Sequence, residues 1–381
     1  MTNIQSSIPT ETVRFSRIRS ILKRFSKRKP VSLPPELWRA IFEDLNLEDV
    51  LNVRLSCKKF AAVAKAPAFS NYNSLPYMPP RDGDTHSRRI ECWTSESISP
   101  LVRQCSINSK LLWMCRDDYP AIPGWENFVD PIYDDFFQLL PQFVNIRRLH
   151  CRNIVFSDLV LTQICQLERL TTLEIDTCIM IASTRPPMLK VTNFLFKTSV
   201  LLLKYSATQE NRGWLEVLDP DHIRCIHIVI MIDNPPSDTA SVAPADVDFL
   251  YQHVTMIVSH PTALKELVIK GWDEQANLRH CCIPLPSLCV YDGPSRLFEV
   301  LLTGKDLHTL TLHGDPWAAL HQLRPQSRSI EQMELHVDTF SLTDVAIIKR
   351  IFSVGIRINH LTVFSDSDIV SSFTIFAFLH V

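Results

Sequence analysis

From Ile146 onward the chain keeps returning to one short pattern, apolar-x-x-apolar-x-apolar. The copies are Ile146-Leu149-Cys151, Leu170-Leu173-Ile175, Val200-Leu203-Tyr205, Ile223-Ile226-Ile228, Leu264-Leu267-Ile269, Leu285-Leu288-Val290, Leu307-Leu310-Leu312, Ile330-Met333-Leu335 and Ile358-Leu361-Val363. Subtracting residue numbers, successive starts lie 24, 30, 23, 41, 21, 22, 23 and 28 residues apart. Apolar residues two apart share one face of a strand, so each copy predicts a short strand with one buried face. No single copy can bury that face alone, whereas neighbouring copies stacked side by side bury a continuous core. The intervening residues then face outward. They include Glu174, Arg224, His227, Lys265, Glu266, His308, Thr311, Glu334 and Asn359. This mixed polar strip suits protein recognition and holds no acid pair or nucleophile triad. Single exposed polar residues are normal on any surface, so no substrate-binding residue is assigned.

The region before it has a different period. In Ser32–Phe60, Pro34 and Pro35 lead into Leu37, Ile41, Phe42 and Leu45, which fall on one helical face. Asn46 to Asp49 breaks the pattern with two carboxylates suited to a helix N-terminus. Val50, Leu51, Val53 and Leu55 open a second apolar segment, and a third helix is predicted from Cys57 through Ala64, with Ser56 as its cap and Pro67 beyond its end. Chains below roughly 40 residues seldom fold stably unaided, so a partner is implied.

These residues carry a resemblance. Leu33-Pro34-x-Glu36-Leu37, Ile41-Phe42, Leu45, Asp49-Val50-Leu51, Arg54, Cys57 and Phe60 resemble an F-box, with Trp38 bulkier than the polar residues usual at its position. The resemblance implies docking onto the Skp-type adaptor, and through it the cullin, of a ubiquitin ligase. It makes Leu33, Pro34, Leu37, Ile41, Leu45 and Leu51 the adaptor contacts. The recurring unit is similar to degenerate leucine-rich repeats, whose period is about 20 to 29 residues, with an insertion near Pro235-Pro236-Ser237-Asp238. Only the Leu170 copy completes the longer motif, through Cys178 and Met180. The last three copies place Asp315, Asp338 and Asp366 where Asn or Cys is usual. Leu285–Trp317 is also similar to the large fungal F-box families.

The expected fold class is α/β: a short three-helix F-box followed by an irregular leucine-rich-repeat-like α/β solenoid. The expected domains are a basic tail at 1–31, the F-box at 32–70, a connector with some helix at 71–140 and the partner-binding domain at 141–381. The tail holds eight basic residues against Glu11, which suits a flexible arm, a nuclear-import patch around Lys27–Lys29 or an organellar transit peptide. In the connector, Leu101–Leu112 and Ile132–Leu140 are predicted helices, and Trp93, Trp113 and Trp125 its anchors.

A net charge of −2 argues against a general nucleic-acid partner, and no apolar run is long enough for a membrane span. Eleven cysteines, without a C-x-x-C pair, read as reduced thiols in cytoplasm or nucleus. His280, Cys281, Cys282 and Cys289 are poorly spaced for one tetrahedral metal. No phosphate loop, nucleophile elbow or zinc-protease motif occurs, so no catalytic residue, cofactor or metal is assigned. The tail Ser371–Val381 ends apolar and uncapped, which predicts that it is truncated, altered or covered by a partner.

The function implied is a substrate-recognition adaptor of a Skp-cullin-F-box ligase, non-catalytic itself, recruiting an unidentified protein target for ubiquitination and degradation. Two alternatives remain open. One is a non-ligase repeat scaffold whose F-box-like helices pack internally, and the other is an enzyme with a site outside the known motifs.

Overall fold

The computed structural model describes residues 33–74, 83–109, 131–180, 187–199, 214, 217–231, 258–259, 261, 263–271, 282–304, 306–321, 329–337, 345–346, 348, 357–365 and 373–375. The chain divides into two compact units, Met1–Phe69 and Ser70–Val381. The basic tail, Trp113, Trp125, Cys281, Asp338 and Asp366 lie outside the described residues.

The first unit is helical: α1 (Pro35–Glu43), α2 (Leu47–Ser56), α3 (Lys58–Val63) and α4 (Lys65–Ala68). The carbonyl of Pro34 starts α1 by accepting from the amides of Leu37 (3.1 Å) and Trp38 (3.2 Å). Pro35 sits at the first helical position, where no amide proton is needed. Asn46 caps α2: its side chain accepts from the Asp49 amide at 2.9 Å and donates to the Asp49 carboxylate at 2.8 Å. Glu48 and Asp49 then face the positive end of the helix dipole.

Two local expectations change. Cys57, not Ser56, caps α3, its sulfur accepting from the Phe60 amide at 3.4 Å. Ser56 ends α2, where its hydroxyl donates to the Val53 carbonyl. The chain also turns helical again through Pro67, which falls in the first turn of α4, where its missing amide costs no bond.

Phe42, Val50, Ala64 and Ala68 form a small core of this unit, with Trp38, Leu45, Val53, Phe60, Val63 and Phe69 against it. Trp38, Phe42 and Phe60 make a triangle of rings with centroids 4.8 to 5.8 Å apart. Trp38, Phe42 and Leu45 point in, while Leu37 and Ile41 point out. The wide indole of Trp38 supplies this core with apolar area that a polar residue at that position could not.

The second unit is built on strands: β1 (Asn71–Asn73), β2 (Gln104–Asn108), β3 (Arg148–Arg152), β4 (Val155–Phe156), β5 (Thr172–Asp176), β6 (Ile179–Met180), β7 (Asn193–Ser199), β8 (Cys225–Met231), β9 (Glu266–Lys270), β10 (Ile283–Leu285), β11 (Val290–Pro294), β12 (Leu301–Thr303), β13 (Thr309–His313), β14 (Ser329–Val337), β15 (Arg357–Ser365) and β16 (Phe373–Ile375). Among the described residues, twelve of them form one sheet in the order β1-β2-β3-β5-β7-β8-β9-β11-β13-β14-β15-β16. Each strand is laid beside the one before it. All these pairs are parallel except the last, in which β16 runs antiparallel to β15. β4 with β6 and β10 with β12 form two short parallel pairs beside it. Helices occur between strands, among them α5 (Gly83–Thr94), α6 (Pro131–Leu139), α7 (Asp158–Cys165), α8 (Ser295–Val300) and α9 (Trp317–His321).

Cross-strand register turns the recurring unit into rows. Leu149, Leu173, Phe194, Ile226, Leu267, Tyr291, Leu310, Met333 and Leu361 are successive partners, and all are buried. Seven of the nine predicted copies thus stand as read, one changes register and one lies outside the described residues. Val200-Leu203-Tyr205 lies outside the described residues, and the buried triplet serving β7 is Val191-Phe194-Phe196. The Leu285 copy slips by three to Leu288-Tyr291-Gly293, which leaves Val290 half-exposed. Gly293 holds an inward position because a Cβ there would lie 2.9 Å from the Tyr291 hydroxyl oxygen. In an apolar-rich stretch several registers satisfy a three-position pattern, and only pairing with the neighbours selects one.

The sheet also starts earlier than expected. Tyr72 and the triplet Val102-Cys105-Ile107 extend the same core into the stretch read as connector, so Gln104–Asn108, within the helix predicted at Leu101–Leu112, is β2, and 110–112 lie outside the described residues. The helix predicted at Ile132–Leu140 is α6. Trp93 stacks edge-on against Tyr72. Phe373–Ile375, in the apolar C-terminal segment, pairs with β15.

Cysteine chemistry follows from this packing. Cys105, Cys151 and Cys178 are buried free thiols. Burial pushes all three up, Cys178 to about 12. The thiolate is the reactive form, so they should be inert in the native state. Timed alkylation with mass spectrometry should label exposed Cys57, Cys92 and Cys282 in minutes and these three only after unfolding. Equal rates for both sets would contradict the packing.

Candidate functional site

The first candidate surface lies on α1 and α2. Leu37 is 51% exposed and Ile41 42%, one turn apart on α1. On α2, Leu47, Leu51 and Leu55 are 53%, 42% and 86% exposed at successive turns. Among the described residues, these are five of the eight large exposed apolar side chains, gathered in a unit of modest size. Scattered exposed leucines need no explanation, but two apolar stripes on one small domain make it a candidate docking surface.

Of the residues expected to contact an adaptor, Leu37, Ile41 and Leu51 stand exposed, as does Pro34, while Leu33 is half-buried. Leu45 is half-buried against the core of the unit. Leu47 and Leu55 are exposed beside them, although the F-box resemblance does not make them adaptor contacts. Their i, i+4, i+8 spacing with Leu51 is the sequence signal that marks the stripe.

The second candidate surface is the outward face of the sheet. Arg148 is paired with Glu174. Asp176 is flanked by Arg152 at 3.2 Å and Lys197 at 3.8 Å. Further along, His227 meets Glu266 at 2.8 Å, and Asp292 takes Lys270 at 3.5 Å and His313 at 2.7 Å. Burial pushes the Asp292 carboxyl up, but the hydrogen bond and charge of His313 and Lys270 outweigh it and leave it below the usual carboxylate range. His313, His336 and Phe364 stack across three strands with centroids 4.5 Å apart. Glu174, His227, Glu266, Thr311 and Glu334 of the predicted polar strip lie on these strands, while Arg224, Lys265 and His308 immediately precede them.

Cys178 bridges adjacent turns, donating to the Cys151 carbonyl at 3.2 Å and accepting from the Ile154 amide at 3.4 Å. Asp315, expected at the equivalent position, is exposed and accepts from the Trp317 amide. Among the described residues, no three His, Cys, Asp or Glu side chains are placed to hold a metal ion, and no helix is long and apolar enough to cross a membrane.

Comparison with known families agrees with the helical geometry. The F-box-like family model matches residues 31–70, and the chain therefore carries an F-box-like domain. F-box domains in general bind Skp-type adaptors, and proteins that carry them are typically non-catalytic adaptors. A comparison with curated proteins found no match.

Proposed function

We propose that this chain is the target-recruiting subunit of a Skp-cullin-F-box ubiquitin ligase. The observation that carries this reading is the pair of exposed leucine-rich stripes on a domain matched by the F-box-like family model. Leu33, Pro34, Leu37, Ile41 and Leu51 make the adaptor contact, joined by Leu47 and Leu55, while Leu45 supports α1 from behind.

The second unit is an irregular leucine-rich-repeat-like solenoid that holds the target. In-order addition of parallel strands and the repeated buried triplet support this. The likeness to fungal F-box families belongs to the same reading. Its mechanism is proximity: a tethered target meets the ubiquitin-loaded enzyme at high effective concentration, with no catalytic group supplied by this chain. Function in cytoplasm or nucleus fits the free thiols among the described residues.

The test is capture of purified Skp-type adaptor by the full chain, beside Leu33→Ala with Pro34→Ala. Wild type should retain adaptor and cullin, and the double variant should lose most of both with unchanged circular dichroism. No capture by wild type would sink the reading.

A further inference from the structure

One residue at the start of each strand repeats the same backbone bond. The amide of Arg147 donates to the carbonyl of Arg103 (2.7 Å), Thr171 to Arg147 (2.9 Å), Thr192 to Thr171 (2.9 Å), Arg224 to Thr192 (2.8 Å) and Lys265 to Arg224 (2.7 Å). The six are therefore neighbours in one row across β2, β3, β5, β7, β8 and β9. The row runs on through Cys289, His308 and Glu331 at the starts of β11, β13 and β14, so four of its first six members are cations and its acid, Glu331, stands three strands beyond Lys265. Arg103, Arg147 and Lys265 are exposed and Arg224 is half-exposed.

Among the described residues, none of these four cations is ion-paired, whereas Arg148, Arg152 and Lys197 on the strands themselves are held by Glu174 and Asp176. In a chain of net charge −2 such a row is not an effect of composition. Neighbouring strands stand about 4.8 Å apart, so the row presents two basic pairs separated by roughly 14 Å of uncharged threonine. That gap equals about four residues of extended polypeptide at ~3.3 Å each.

We propose that this row binds an extended acidic segment of the recruited protein, carrying two acidic clusters about four residues apart. The inference rests on the reading of the second unit as the target-holding part. Arginine forks match carboxylates with two parallel hydrogen bonds, and complementary charge sets which partner docks and in what register. A nucleic-acid strand carries charge at every nucleotide and fits a gapped row less well than a peptide whose acids come in two clusters.

The experiment is fluorescence anisotropy on the full-length chain with a labelled peptide bearing two Asp-Asp pairs separated by three serines. Saturable binding that weakens with salt is expected. Arg147→Glu with Arg224→Glu should weaken it at least tenfold at an unchanged melting temperature, and Arg147→Lys with Arg224→Lys should retain most of it. Absent binding, equal affinity of the Glu variant, or tighter binding of single-stranded oligothymidylate of the same charge would each overturn the proposal. Adaptor capture is measured on the same preparations. If it stays intact without peptide binding, only this inference falls. If both are lost, the ligase reading falls with it.

Discussion

Glutamate at both Leu37 and Leu51 should abolish capture of the Skp-type adaptor while leaving the melting temperature almost unchanged. Leu37 and Leu51 are 51% and 42% exposed and neither belongs to the core of the helical unit, so charging them removes little from it. A carboxylate at position 37 even falls in the first turn of α1, where negative charge is favoured. At position 51 the nearby Glu48 adds a like-charge penalty of only ~0.2–0.5 kcal/mol. In a complex the balance reverses. Burying a leucine contributes about 1.5–3 kcal/mol, so losing two removes roughly 3–6 kcal/mol. At 1.4 kcal/mol per decade that is on the order of 10²- to 10⁴-fold in Kd, before the cost of burying a charge is added. Calorimetric titration beside a thermal melt separates the outcomes. Loss of binding together with a large fall in melting temperature would mean that the stripes hold the domain together, as the scaffold alternative requires. Unchanged binding would move the docking surface elsewhere. Phe42→Ala is the contrast, since it should lower both through the core.

Local chemistry made much of this architecture legible in the sequence, and the failures share one cause. Asn46, Glu48 and Asp49 announced the start of α2 because a cap and a first turn are satisfied within four residues. Seven copies of the strand unit lay where their apolar residues do because alternation is also local. The register of β11 did not follow, because it depends on Tyr291 meeting Leu267 and Leu310, residues 24 and 19 positions away by subtraction of their numbers. The inward turn of Trp38 depends likewise on Phe60 from another helix. The outward strip was visible as polar residues, yet Asp176 between Arg152 and Lys197 becomes a charged ladder only once β3, β5 and β7 are laid side by side. The basic row is only half legible: Arg147, Arg224 and Lys265 each follow the first apolar residue of a copy, but members separated by 21 to 44 residues become one row only when the strands pair.

Phe194→Ala should be among the most destabilising single changes in the second unit. The ring is wholly buried in the central row of the sheet, between Leu173 and Ile226. It lies 5.8 Å from Phe196 and 6.2 Å from Trp214, which in turn meets Phe156 edge-on at 4.8 Å. Truncation leaves a cavity that Phe196, Trp214 and the flanking strands cannot easily close, and changes of this kind cost about 3–5 kcal/mol. For a domain of this size 1 kcal/mol moves the midpoint by roughly 2–4 °C, so a fall on the order of 10 °C is expected by calorimetry. Phe194→Leu keeps most of the volume and should cost well under half as much. The pair separates two views of the sheet. If stability is passed from each strand to the next, a defect in β7 should expose strands on both sides to hydrogen exchange and leave β14 and β15 protected. A uniform loss of protection from β2 to β15 would instead show the sheet opening as one cooperative unit.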